Sequence, residues 1–204
     1  MARQYDPLRL YGEKIIFDVF RKGEKAGTHI VTFSRSGEQL QVRSSFDLSI
    51  KFLSLNVYNF LYQSEEVWFK DRLQKIQVEV DDNGEKETLR VERLNGDLKV
   101  ISKDKTYVIN GSVFPTTHWN SGVLSQKRVL NTLTGSLNAV AITFVGSEKL
   151  ETEKGQILAK RYDYSGDLQT SVWYDNAGRW VKMQFSAKDG SEITYKCRLC
   201  QGPD

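Results

Sequence analysis

The chain has 204 residues, with 29 Lys and Arg against 26 Asp and Glu, a formal net charge of +3 and 39% hydrophobic residues. Three prolines and two cysteines exclude a collagen-like chain and a disulfide scaffold, and the apolar content excludes disorder. A charge so close to balance predicts no nucleic-acid partner, and the lack of any long apolar run predicts no transmembrane segment.

The expectation is a single all-β domain over residues 1–204. Met1 to Leu10 reads as a tail or an edge segment. Beyond it, apolar and polar residues alternate with a period of two, the signature of half-buried strands. Gly12 to Phe20 predicts a first strand, Arg21 to Gly27 a turn, and Thr28 to Ser34 a second strand. Gln39 to Phe52 alternates most clearly: Leu40, Val42, Phe46, Leu48, Ile50 and Phe52 share one parity. A strand of that length should bend or bulge, which suits a barrel or a coiled sheet. Asn56 to Phe69 is rich in aromatics, and Leu73 to Val80 alternates again. Asp82-Asn83-Gly84 and Asn95-Gly96 are hairpin signals, because Asn-Gly tolerates the positive φ of a tight turn. Short strands follow at Thr88 to Leu94, Leu98 to Ser102 and Thr106 to Ile109.

Gly111 to Gly135 breaks the pattern. Irregular stretches of this length inside a domain are often functional, and Val123 to Leu130 predicts a short helix with Ser121 as its cap. Strands resume at Ala139 to Val145, Ile157 to Tyr164, Leu168 to Tyr174, Arg179 to Ala187 and Glu192 to Leu199. Short links make antiparallel neighbours, so the pattern predicts an all-β fold: a single antiparallel β-barrel or strongly curved β-roll of about a dozen strands, with one irregular loop or short helix near 111–135. A two-sheet sandwich fits the same pattern.

Scarce residues bound the chemistry. His29 and His118 are the only histidines, so a site with several His ligands within the chain is excluded, and no metal site or cofactor is expected. No nucleophile elbow, phosphate-binding loop or dinucleotide fingerprint is present. Cys197 and Cys200 form a C-x-x-C within an expected strand, where Cα atoms three apart would lie about 10 Å apart, too far for a disulfide unless the tail curls.

Three constellations stand out. Tyr58, Phe60, Tyr62, Glu66 and Trp68 have one parity and should share a face. There Glu66 either meets a polar ligand head group or sits at the rim of an aromatic sheet face. Pro115-Thr116-Thr117-His118-Trp119-Asn120 gathers hydroxyls, an imidazole, an indole and an amide in the irregular loop. It reads either as a ligand-binding segment or as a plug with Trp119 sealing one end. Trp173-Tyr174-Asp175 and Gly178-Arg179-Trp180 flank a tight turn, where Arg179 can pair with Asp175 or stack on a ring. His29 reads as an ordinary strand residue.

These motifs, with Gly23-x-x-x-Gly27-Thr28-His29 and Asp82-Asn83-Gly84, occur in an order that resembles a family of uncharacterised, usually exported bacterial all-β proteins, a domain of unknown function. The segment from Trp173 to Val181 is also distantly similar to periplasmic lipoprotein-carrier half-barrels. The resemblance implies an export signal, yet Met1-Ala2-Arg3 leads directly into a polar segment. The expectation is therefore a periplasmic or exported protein whose signal has been trimmed, with a cytoplasmic protein as the alternative. The family carries no activity to assign, so no catalytic residue follows from it.

The resulting functional expectation is non-enzymatic binding of an apolar small molecule or lipid in a barrel cavity. Tyr58, Tyr62, Glu66, Trp68, His118, Trp119 and Trp173 are the candidate ligand-binding residues. One alternative is a hydrolase or isomerase using His118 with Glu66 or Asp175. The other is a structural or interaction protein without a pocket.

Overall fold

The period-two alternation is realised as one long antiparallel band that coils around its own central segment. The computed structural model describes residues 5–52, 55–187 and 189–202. Its first half runs through β1 (Lys14–Arg21), β2 (Glu24–Ser36), β3 (Gln39–Phe52), β4 (Leu55–Phe69), β5 (Arg72–Asp82), β6 (Glu85–Leu94), β7 (Asp97–Ser102) and β8 (Thr106–Ile109). Its second half holds β9 (Phe114–Pro115), β10 (Arg128–Leu130), β11 (Leu137–Thr152), β12 (Gly155–Gly166), β13 (Thr170–Asp175), β14 (Trp180–Ser186) and β15 (Glu192–Leu199). The first and last strands pair, so the order runs from β8 back to β1, across to β15, and on down to β9. Every pairing is antiparallel except β9 with β10. No pairing joins β8 to β9 among the described residues, so the band is not closed.

Register explains where the core lies. Phe17, His29, Phe46, Tyr62 and Val80 form one cross-strand row. Ile15, Val31, Ser44, Ser64, Val78 and Leu89 form the next. Phe33, Val42, Glu66, Ile76, Val91 and Val100 form a third. These rows are the inner face, and nearly all of their members are buried. The intervening residues, such as Arg43, Glu65 and Gln77, face outward. Bulges at Arg198 in β15, Val57 in β4, Gln74 in β5 and Val145 in β11 give the extra twist a coiled band needs.

The segment between β8 and β11 fills the concave side. Trp119, 1% exposed, meets Phe33 and Trp68 from the first half at 5.6 and 5.5 Å between ring centroids. From the second half, the Tyr174 hydroxyl donates to the His118 carbonyl at 2.8 Å. One segment thus touches both halves, and it is this contact that rolls the sheet. Its far end bridges the unpaired edge, where the Tyr107 hydroxyl donates to the Gly135 carbonyl at 2.7 Å. Gly135 has φ +64°, the left-handed conformation that favours glycine, and a Cβ there would press on the Leu89 side chain at 2.9 Å.

Several expectations change. The helix predicted over Val123 to Leu130 is a shorter 3-10 turn at Ser121–Ser125, capped by Asn120 rather than Ser121, and Arg128–Leu130 is strand. Asn120 wins because its amide oxygen reaches the Gly122 N–H at 2.9 Å. The residues of the expected N-terminal tail that are described form a short helix, α1 (Pro7–Tyr11), packed on β1 and β2; Met1 to Gln4 lie outside the described residues. Strand β11 runs seven residues past the expected Val145, because its pairing with β12 resumes at Gly146 after a bulge at Val145. Strand geometry also misleads at the C-terminus. The chain leaves the sheet after Leu199, Cys197 and Cys200 approach to 5.8 Å between Cα atoms, and the two form a disulfide. The curved-roll expectation stands, and the sandwich alternative gives way to a single continuous sheet.

Candidate functional site

The parity of β4 places Tyr58, Phe60, Tyr62, Ser64, Glu66 and Trp68 on the inner face, as the sequence predicts. Their depth is another matter. Glu66 is 1% exposed and not at a rim. Its Oε2 accepts from the Trp68 indole at 2.7 Å and from the Trp119 indole at 3.3 Å, while among the described residues no hydrogen bond reaches Oε1. Burial raises its pKa from the ordinary 4.5 to about 7, against the opposing pull of Trp68, Trp119 and Thr117. The carboxyl thus joins the plug to the sheet by one shared acceptor.

His118 is held in a left-handed conformation, φ +55°, unusual for a residue with a side chain. A three-residue turn closes around it, the Trp119 N–H donating to the Thr117 carbonyl at 2.7 Å. The turn sends the two rings apart. Trp119 goes to Phe33, Trp68 and Tyr5, whereas His118 packs edge-on to Tyr164 at 5.6 Å and lies 5.7 Å from Trp180. Burial holds His118 down at about 4, and His29, on the inner face of β2, at about 3. Both are therefore neutral near pH 7. Among the described residues, His118 Nδ1, both ring nitrogens of His29, the Tyr164 hydroxyl and the Ser44 and Ser64 hydroxyls meet no hydrogen-bond partner. Internal water is the usual companion of such a polar seam.

The remaining candidates lie further apart. Tyr62 is buried and donates to the Thr132 hydroxyl at 3.1 Å, beneath the central segment. Tyr58 sits at the hairpin end of β4, half-buried, and donates to Asp82 at 2.6 Å. Trp173 faces outward, yet is only 1% exposed. The Lys182 ammonium lies 4.1 Å from its ring and the Arg161 guanidinium 5.3 Å, and its indole donates to Glu148. Arg179 does pair with Asp175, at 2.7 Å, closing the turn before Trp180. The structure therefore gathers Glu66, Trp68 and Trp119 into one cluster, with Tyr62 and His118 along the same segment. Tyr58 and Trp173 stand elsewhere.

Trp119 closes the end of the roll near Phe33 and Leu40, leaving only about 10 Å³ of space against Tyr5, Arg35 and Trp68. At the other end, by register, Phe46, Ile50, Tyr58, Phe60 and Val80 remain only half-buried. A cleft of about 240 Å³ lies on the second half of the sheet, lined by Tyr164, Gln169, Ser171, Gln184 and Phe185 among others.

Sequence reasoning missed Tyr5, Tyr11 and Tyr164. Tyr5 and Tyr11 both donate to the Trp119 carbonyl, at 2.6 and 2.9 Å, and the Trp180 N–H donates to the Tyr11 hydroxyl at 2.8 Å. These contacts pin the plug from the N-terminal segment. The pairing of two tyrosines around a short proline-started helix was the available signal.

No curated protein matches the chain. A crystal structure of a beta-barrel-like protein of domain of unknown function DUF1849 from Brucella abortus is similar in fold, with a TM-score of 0.64 at 12% identity, over 94% of this chain and 97% of that one. The open, coiled band described above is thus a beta-barrel-like architecture. The model of a domain of unknown function, DUF6134, matches residues 17–198, which run from β1 to β15, and the chain belongs to that family.

Proposed function

We propose that the protein binds an apolar ligand, a lipid or fatty acyl chain, along the inner face of the coiled sheet, without catalysis and in the bacterial cell envelope. The observation that carries this reading is the group Phe46, Ile50, Phe60 and Val80, apolar side chains left half-buried on the inner face at the end away from Trp119. Residues without a ligand to meet would gain by burial, at roughly 25 cal/mol for each Å² of apolar surface. The cleft lined by Phe185 and by the polar side chains of Gln169, Ser171 and Gln184 offers a place for a polar head. The Cys197–Cys200 disulfide is in keeping with an exported location, since bridges persist most readily in oxidising compartments. The distant similarity to lipoprotein-carrier half-barrels points the same way. The hydrolase alternative has less support: no hydrogen bond joins His118 to a carboxylate among the described residues, and the Glu66 carboxyl is turned to two indoles.

The test is solvent extraction of the purified protein with mass spectrometry, followed by titration with a fluorescent fatty acid. The expected result is one displaceable ligand per chain, a higher melting temperature with ligand bound, and affinity reduced at least about tenfold by Phe60→Glu. Absence of both extracted lipid and probe binding would overturn the proposal.

A further inference from the structure

The C-terminal cysteines sit in a setting that a structural staple does not require. Their bridge spans only two intervening residues, so it removes little freedom from the unfolded chain, since that effect grows with loop length. The two sulfurs are unequal: Cys197 is half-buried and accessible, and Cys200 is fully buried. An exposed carboxylate, Glu153 at the turn between β11 and β12, is aimed at them from a distant part of the sequence. Its Oε1 accepts from the Cys200 N–H at 2.9 Å, and its Oε2 lies 2.8 Å from Cys197 Sγ. A disulfide sulfur has no proton to offer that oxygen. A thiol does. The contact therefore fits the reduced pair, and the backbone bond to Cys200 holds the carboxylate ready for it.

The surroundings are held by groups other than the sulfurs. The tail after Cys200 is anchored independently of the bridge: Arg179 donates to the Gln201 carbonyl, Thr152 to the Gln201 side chain at 2.6 Å, and Lys154 to the Gly202 carbonyl at 2.8 Å. Gly202, at φ +74°, lies so close to α1 that a Cβ would stand 2.5 Å from the Leu10 carbonyl oxygen. None of these contacts involves either sulfur.

We infer that Cys197, Cys200 and Glu153 form a redox-active site for thiol–disulfide exchange with a partner thiol. In the first step an incoming thiol gives its proton to Glu153 and its sulfur bonds to Cys197 Sγ. The Cys197–Cys200 bond breaks, and the proton passes from Glu153 to the departing Cys200 thiolate. A second partner thiol then attacks the partner sulfur of the mixed disulfide and releases Cys197, which takes up that thiol's proton. Two partner thiols are oxidised to one disulfide, and the protein disulfide is reduced to a dithiol, a balanced two-electron exchange that runs in either direction. The accessible Cys197 is the residue that forms the mixed disulfide; the buried Cys200 is the group that leaves in this direction and the group that resolves the mixed disulfide in the reverse one.

The test uses the full chain in glutathione buffers of graded redox poise, with maleimide labelling read by mass spectrometry and near-ultraviolet dichroism as the control for folding. A second arm uses a reduced cysteine-containing peptide, to separate small-molecule from polypeptide thiols as the source. The expected result is a reversible two-thiol titration of the folded protein in at least one arm. Cys200→Ser should trap a one-to-one mixed disulfide at Cys197, whereas Cys197→Ser should trap none at Cys200. In Glu153→Gln the exchange rate should fall about tenfold for each pH unit below neutral, the dependence of an unaided thiolate, while the wild type keeps a shallower slope. Thiols that label only in urea, or equal trapping at both cysteines, would overturn the inference. So would a pH slope unchanged in Glu153→Gln, or a reduced protein that retains one zinc ion per chain in place of exchanging.

Discussion

Replacing Glu66 by leucine would take away the one acceptor shared by the Trp68 and Trp119 indoles. A buried donor left without a partner costs about 1–3 kcal/mol, so Glu66→Leu is expected to lower stability by about 3 kcal/mol, partly offset by removing a buried carboxyl. Glu66→Gln keeps an acceptor in place and should fall within about 1 kcal/mol of wild type near pH 5, where the Glu66 carboxyl is neutral in the fold. Urea unfolding of the two variants at that pH checks the difference. Equal losses would mean that packing volume, not the shared acceptor, is what Glu66 supplies. The side-chain parity of Glu66 was legible in the sequence, because alternation fixes which face a strand residue takes. Its depth was not, since burial depends on Trp119, which lies 53 residues further along the chain.

At the scale of elements, the segment between β8 and β11 does what a second sheet would do in a sandwich. Trp119 is its main wedge, fastened by its indole to Glu66 and by its carbonyl to Tyr5 and Tyr11. Trp119→Ala is expected to cost about 3–5 kcal/mol, the range for emptying a large aromatic from a core. Trp173→Ala should cost less, because Trp173 is covered by the Arg161 and Lys182 side chains, which can move into the space. Thermal or urea unfolding of both variants gives the comparison, and a smaller loss for Trp119→Ala would show that the sheet holds its curvature without the plug. The strands and hairpin turns were readable, since Leu40 to Ile50 in β3 keep their period and Asn83-Gly84 and Asn95-Gly96 carry positive φ. Two elements were not. Strand β11 continues through Ser147, Lys149 and Glu151, polar on both faces, where alternation carries no signal. The disulfide forms because the ladder stops at Leu199, a strand end that local sequence leaves unmarked.

For the whole molecule, the buried titratable groups set opposing dependences on pH. Folding raises the Glu66 pKa from 4.5 to about 7, so between those values the folded state holds a proton that the unfolded state has lost. Its contribution is full below about pH 4.5 and fades as pH rises through about 7. The two histidines act in reverse. Their pKa values fall from 6.5 to about 3 for His29 and about 4 for His118, so the unfolded state gains the protons first, and their contribution is full above about 6.5 and is lost on acidification. From about pH 4.5 to 6.5 two protons work against one. Stability should therefore rise by about 1.4 kcal/mol per pH unit, or about 3 kcal/mol over that range. Above about 6.5 only Glu66 still titrates, and the curve turns down slightly towards 7. At high pH a further loss sets in, because burial raises the hydroxyls of Tyr11, Tyr62, Tyr174 and Tyr195 above their ordinary 10, and the unfolded chain ionises first. Urea midpoints measured from about pH 4.5 to 11 should thus peak near 6.5 and fall again beyond about 10. Glu66→Gln should steepen the acid limb to about 2.7 kcal/mol per pH unit and abolish the dip between about 6.5 and 7, since two histidine protons then act unopposed. An acid limb of unchanged slope in that variant would mean that Glu66 is ionised in the folded protein and that its carboxylate, not a neutral carboxyl, receives the two indoles.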